Sequence, residues 1–351
     1  MVQTVENHKT INLLRKQDLQ NNCHIPEMKN GQVCPVCGSR ETSDIIEQVT
    51  KKPPIWFTMH QCNRCCCWYM ASPPNQDAIK AYYAGDYYFF NRDIDFEFSR
   101  NHQLYKRTVR LIEDQVPVKR VLEIGCSKGF LLAILSKIGW QVEGVEISSE
   151  ASSFARSTFN LPVFTGEIEK YEELYPALKY PLILALDVME HVPDPFAFIK
   201  AISRLLTKDG LLIIDTPNGK SDAINSKRGL WKGFNPFHIH VFSKDGIQLL
   251  LSKNELTIHS IYEYSYDPFA SERGNLELQI RSLFKIVLQK IGLFSPVYKY
   301  YKQMTLRKEP IKDPLLRIVN LIESERAFPP VFPSECLREH GDNMVVICKK
   351  E

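Results

Sequence analysis

No stretch of the 351-residue chain stays apolar for the roughly 18 residues that crossing a bilayer requires, so no membrane span is expected. The N-terminus, MVQTVENHKTINLLRKQDLQ, lacks the apolar core of a secretory signal; no signal peptide is expected, and the cytoplasm is the expected compartment. Charge of one sign is not in excess either. The 44 Lys+Arg against 41 Asp+Glu leave +3, too little to argue for a nucleic-acid partner. Internal repeats and low-complexity tracts are also missing. What is present is ordinary globular composition, 44% apolar and 24% charged, with length enough for two domains. Ten cysteines in a long chain without a signal point to metal binding rather than to disulfides.

Residues 1–30 are polar and without a sustained period, and are expected to be weakly ordered. A compact cysteine-rich unit follows over 31–75. Residues 76–117 are aromatic and charged (DAIKAYYAGDYYFF), then helical in pattern (RNHQLYKRTVRLIEDQV). From 118 the chain alternates. RVLEIG, QVEGVEI, LPVFTGE, PLILALDV, GLLIIDTP and LTIHSIYEY are short β-rich runs, separated by helical stretches such as GFLLAILSKIG and PFAFIKAISRLL. Alternation of this kind argues for an α/β fold with a mostly parallel sheet and crossover helices. A last strand, NMVVICK, closes the chain.

CPVCG (34–38) and CNRC (62–65) are two C-x-x-C pairs with 24 residues between them. Each can form a knuckle presenting two thiolates to one ion, and two knuckles make the tetrahedral four-sulfur site that Zn2+ prefers. Cys34, Cys37, Cys62 and Cys65 are the expected ligands, with Cys66 and Cys67 as competitors at the second knuckle. A site with four thiolates is full, which makes the ion structural.

In RVLEIGCSKGFLLAIL a strand meets glycines at 125 and 129 and then a helix. Glycine permits close backbone approach, and the helix N-terminus contributes its positive dipole end. Alone, such a turn also occurs in proteins without a cofactor. Glu146 ends the next strand 21 residues past Gly125, an offset at which an acid accepts ribose hydroxyls. The phosphate-cradling G-x-G-x-x-G spacing is absent, as is a lysine–serine pair after the loop.

Taken in order, VLEIGCSKGFLLAIL, GVEIS, FTGEIE, LALDVMEHVPDP, LLTKDGLLIIDTPN and HVFSKDGI resemble a class I S-adenosylmethionine-dependent methyltransferase over about residues 118–265 plus the last strand. The resemblance implies a Rossmann-like, mostly parallel seven-stranded sheet with flanking helices, preceded by the small zinc ribbon. It implies that Glu123, Gly125, Cys126 and Gly129 line the methionine moiety of S-adenosylmethionine. Glu146 would bind the ribose, with Ile147 beside the adenine, and Glu167 and Ile168 would sit at the adenine edge. Asp187 and Val188 would face the sulfonium. Ser127 stands where the family's G-x-G-x-G has its middle glycine.

Methyl transfer to a hydroxyl needs an aligned nucleophile and a base. His240 and His191 are the candidate bases. His238 and His240 alternate in NPFHIHVFS and would share one face if extended; Glu190 is expected to be a helix N-terminal carboxylate. Tyr87 and Tyr88 fall in an expected lid. An expected helical insertion at about 266–340 carries nine Lys/Arg against three Asp/Glu over 273–313. Its apolar stripe (Leu276, Ile280, Leu283, Val287, Ile291) suits core packing, a dimer contact or a peripheral membrane contact. Trp231 and the tyrosines from Tyr298 to Tyr301 are candidates for stacking on a sugar or base. The ribbon-then-methyltransferase order also resembles some sugar C-methyltransferases, which carry a further C-terminal domain not recognised here. The expected activity is therefore O- or N-methylation, with C-methylation left open, of a small molecule or glycan. An RNA base methyltransferase and a catalytically inactive zinc-ribbon binding protein are the alternatives.

Overall fold

A computed structural model of the chain describes residues 33–49, 56–73, 94–113, 115–227, 231, 233–265, 337 and 339–351. The N-terminal segment to residue 30, Tyr87 and Tyr88 of the expected lid, and the insertion from 266 to 336 lie outside the described residues. Those described from Cys34 onward belong to one compact unit.

The order of elements begins with β1 (Thr42–Val49), β2 (Trp56–Cys62), β3 (Trp68–Met70) and α1 (Ile94–Glu113). It continues through β4 (Arg120–Ile124), α2 (Phe130–Lys137), β5 (Gln141–Glu146), α3 (Ser149–Phe159), β6 (Val163–Thr165), α4 (Ile168–Leu174) and β7 (Tyr180–Leu186). After a 3-10 turn at Met189–His191 come α5 (Pro195–Leu205), β8 (Leu206–Pro217), α6 (Asp222–Lys227), β9 (His240–Val241), α7 (Lys244–Ser252), β10 (Leu256–Tyr264) and β11 (Asn343–Lys350).

The main sheet has seven strands in the order β10-β11-β8-β7-β4-β5-β6. From β8 to β6 neighbours are parallel, and β11 is antiparallel to both β8 and β10. The mostly parallel seven-stranded expectation is therefore met. Alternation within the strands explains why helices cover both faces: Ile183 and Ala185 of β7 join one core, Leu182 and Leu184 the other. Helix starts are fixed locally. Ser148 caps α3 by accepting from the Ala151 N–H, and Asp194 caps α5 by accepting from Phe196 and Ala197, with Pro195 in the first turn. Strand order reverses between β4 and β7, and in open α/β sheets ligands bind outside the carboxyl ends at such a point.

The cysteine unit is less separate than the sequence suggests. Its sheet, β1-β2-β3-β9, takes its fourth strand from residues 240–241, with Trp68 opposite Val241 and Tyr69 opposite His240. A third core, including Met59, Trp68, Met70, Trp231, Phe234, Ile239 and Val241, seals that junction. Each such side chain contributes about 1.5–3 kcal/mol when fully buried. Trp231, a candidate for ligand stacking, is spent here: it is buried, and its indole N–H donates to Asp342 at 3.1 Å.

Candidate active site

β4 leads into three left-handed residues within five positions: Gly125 (φ 68°), Ser127 (φ 48°) and Gly129 (φ 75°). Gly125 is required less by open space for a ligand than by a neighbour. A Cβ there would lie 2.4 Å from Cγ2 of Val188, the residue expected to face the sulfonium. The loops after β4 and β7 are thus packed together at the switch point. A Cβ on Gly129 would meet Leu161 and Ala155 of the neighbouring α3 region at 2.8 and 2.9 Å. Cys126 is buried with its sulfur toward Gly144, so only its backbone belongs to the loop surface.

Glu146 closes β5 and is held from two sides. Its Oε2 accepts from the Ser127 N–H and its Oε1 from the Ser148 N–H, both at 2.8 Å. Glu123 lies beside it, buried, with Oε2 lacking a hydrogen-bond partner. Burial, and then the nearby Glu146 charge, push its carboxyl up to about 8. Ile147 is half-buried. Glu167 caps α4 by backbone only, and Ile168 is packed in the core below it.

Asp187 follows β7 in a left-handed conformation (φ 53°), a strained geometry for a residue with a side chain. It is accessible to solvent although protein surrounds it, the situation of a residue on the floor of a recess. Burial and the neighbouring Asp215 push its carboxyl up to about 7, against the pull of Arg107. Asp215 is the partner the sequence did not reveal. It pairs with Arg107 of α1 and accepts from the Tyr264 hydroxyl, while the guanidinium stacks over the Tyr264 ring at 4.4 Å. In this way α1 is fastened across the carboxyl ends of β7 and β8.

The histidines converge, though not as an extended face. Only residues 240–241 are strand, so His238 and His240 part company. His238 sits in the preceding turn, its Nδ1 against the Gly233 carbonyl at 2.9 Å, and packs edge-on to His191 with ring centroids 4.7 Å apart. Nδ1 of His191 faces the Phe237 carbonyl at 2.8 Å. His240 is 5% exposed, and neither ring nitrogen closes a hydrogen bond of normal geometry. Burial pushes His191 and His240 down to about 4 and His238 to about 3, so all are neutral near pH 7. Glu190, expected as a helix N-terminal carboxylate, stands in the first turn of the 3-10 helix, is 1% exposed and accepts from the Thr216 hydroxyl at 3.0 Å. Its side chain faces the end of β8.

At the ribbon, Cys34, Cys37, Cys62 and Cys65 each place a sulfur within 4.8 Å of all the others. The closest pairs are 3.6 Å (Cys34, Cys65) and 3.4 Å (Cys37, Cys62). A tetrahedral zinc with bonds of about 2.3 Å needs sulfurs about 3.8 Å apart, so the knot is the right size. Cys67 does not compete. Its sulfur lies outside the four-sulfur cluster and against Ser243, whose N–H donates to it at 3.3 Å while the Ser243 hydroxyl donates to the Cys65 carbonyl and caps α7. The Trp68 indole N–H reaches the Gly219 carbonyl at 3.1 Å.

A parallel sheet reversing at β4 and β7, with a glycine loop and an acid in register beside it, has the form expected of a class I S-adenosylmethionine-dependent methyltransferase domain. Residues 96–261, a little under half of the chain, match a family model described as a methyltransferase domain. The ubiquinone biosynthesis O-methyltransferase of Bradyrhizobium diazoefficiens is 31% identical over 163 residues, 44% of this chain and 64% of that protein. Its counterpart from Thiobacillus denitrificans is 27% identical over 133 residues, 36% of this chain and 57% of that protein. The chain thus spans little more than half the length of such relatives. A solved SAM-dependent methyltransferase of Thermotoga maritima is 16% identical, with 78% of this chain and 99% of that one covered at a TM-score of 0.46. Among the described residues no helix is long and apolar enough to cross a membrane.

Proposed function

We propose that the protein transfers the methyl group of S-adenosylmethionine to an oxygen or nitrogen of a small molecule or glycan. The observation that carries this reading is the cluster of acids at the switch point. Glu123, Glu146 and Asp187 stand at the carboxyl ends of β4, β5 and β7 around the Gly125–Gly129 loop, and Glu123 keeps an orphaned oxygen for an incoming donor. A cofactor bearing both a sulfonium and an ammonium suits such a floor. In this reading Glu146 holds the ribose, and Ile147, Glu167 and Ile168 bound the adenine end. Gly125, Cys126 and Gly129 shape the methionine end, with Asp187 and Val188 near the sulfonium.

His240 is the preferred base and His191 the second. Both are neutral near pH 7 and can accept a proton, and the displacement gains most from alignment. The four cysteines would hold Zn2+, whose role is to fix the ribbon against β9. That the relatives above are named ubiquinone biosynthesis O-methyltransferases supports an O-acceptor of small size.

Calorimetry with S-adenosylhomocysteine tests the cofactor: binding by the native chain and its loss in Glu146→Ala are expected, and no heat from the native chain overturns the reading. Incubation with methyl-labelled S-adenosylmethionine and separated small-molecule, glycan and RNA fractions tests the acceptor. Label confined to RNA rejects the acceptor proposed.

A further inference from the structure

Beyond the cysteine site, the carboxyl end of β7 brings together a second set of donors. The 3-10 turn Met189–His191 sets Glu190 and His191 side by side, and the turn before β9 swings His238 against them. That turn is fixed by Asn235, whose side-chain oxygen accepts from the N–H groups of Phe237 and His238 at 2.9 and 3.0 Å. One ligand atom from each of Glu190, His191 and His238 lies within 4.8 Å of the other two.

We propose that Glu190, His191 and His238 bind a divalent first-row transition ion, of the Zn2+, Co2+ or Mn2+ kind, as a site separate from the four cysteines. The protonation pattern suits it. A carbonyl oxygen only accepts, so Nδ1 of His191 against Phe237 and Nδ1 of His238 against Gly233 each carry the proton. Both imidazoles then present Nε2 as the lone-pair nitrogen. Histidine rings oriented by a backbone carbonyl on the far nitrogen are the usual second layer of a metal site.

Glu190 completes the set. Its Oε2 is occupied by the Thr216 hydroxyl, but Oε1 is buried without a hydrogen-bond partner and lies 4.0 Å from Nε2 of His191. Burial and the neighbouring Asp187 raise the Glu190 carboxyl well above its usual range, so its ionised form needs a partner there, and a cation is the partner that supplies it. Asp187 and Asp215 add negative potential from the adjoining strand ends, against Arg107. With bonds of about 2.1 Å, donors on one tetrahedral ion lie about 3.4 Å apart, so the three, now within 4.8 Å of one another, must close by up to about 1.4 Å.

Two imidazoles and a carboxylate favour a first-row ion over Mg2+ or Ca2+ and leave coordination positions open. The site therefore exchanges its ion more readily than the closed cysteine site. An ion on His191 removes that ring as a base and leaves His240. The proposal stands on this geometry alone, whether or not methyl transfer is the activity.

The test is cobalt titration of the full chain after chelator treatment, with metal counted per chain and absorption recorded. An ion in the cysteine site gives the strong thiolate-to-metal bands; an ion on nitrogen and oxygen gives only weak visible ones. The expected result is a second ion per chain without added thiolate absorption, lost in Glu190→Gln and in His238→Gln, each of which keeps the thiolate-bound ion. The native chain's stoichiometry decides the matter even if one variant fails to fold. A native chain that takes up only the thiolate-bound ion, or whose second ion survives both substitutions, overturns the proposal.

Discussion

The backbone N–H of Ser127 donates to Oε2 of Glu146 at 2.8 Å, tying the glycine loop to the acid of the next strand before any ligand arrives. The serine side chain takes no part in that bond and is exposed. Ser127→Gly should therefore leave affinity for S-adenosylhomocysteine unchanged. It relieves a left-handed strain of about 1–2 kcal/mol but returns roughly 0.5–1 kcal/mol through backbone entropy. Denaturant unfolding should find the variant at or slightly above native stability; a tenfold loss of affinity would show that the hydroxyl matters.

Gly125 is the opposite case. With φ at 68° and Val188 2.4 Å from the missing Cβ, alanine must both strain the backbone and push the β7 loop aside. Gly125→Ala should cost about 2–4 kcal/mol in urea unfolding, the sum of left-handed strain and overpacking. The double variant Gly125→Ala with Val188→Ala should recover part of it. No recovery would mean that Val188 is not the obstacle.

Stability should depend on pH in two windows. Glu123 and Asp187 have folded values raised to about 8 and about 7, so the stability they lend is complete below about pH 4 and is lost as pH rises through those values. His191, His238 and His240 have lowered values, so their share is lost as pH falls below about 6.5 toward 4. Above pH 6.5 only the carboxyl effect remains of these. Melting temperature should decline from pH 6.5 to 8.5, and Glu123→Gln should flatten the decline. A native curve that rises across this range contradicts the assignment.

The ribbon should be felt at the histidines. A Cβ at Gly246 would lie 2.0 Å from the Cys67 sulfur, so Gly246→Ala disturbs the seat of the ribbon without touching a metal ligand or a histidine. Trp68 fluorescence should shift and become more open to a soluble quencher, with turnover falling while S-adenosylhomocysteine affinity holds. Equal loss of both would place the damage in the main sheet.

Much of this was legible because strands announce themselves by period. YPLILAL and GLLIIDTP are buried on both faces, and their near-continuous apolar runs say so. The cysteine spacing and the Gly125–Glu146 register were likewise open to reading. β9 was not: two residues carry no period, and HIH suggested an alternation that the turn at Asn235 prevents. Nor could Glu190 be known as buried, because its matching donor, Thr216, lies on another strand. Asp215 and Arg107 escaped for the same reason, being joined only by the fold. One further signal is present in the sequence. WYM directly after the second knuckle is an unbroken apolar run, the mark of a strand covered on both sides.

That run has a consequence for anyone wishing to exchange parts between proteins of this kind. Because β3 finds its partner in His240–Val241 and Cys67 its seat at Ser243, the ribbon cannot be transplanted as a free module. A functional graft must carry residues 34–73 together with 219–246, two segments far apart in the chain that a lineage would have to inherit jointly. Recombination between them should yield chains that keep the seven-stranded sheet and lose the seat of the ribbon.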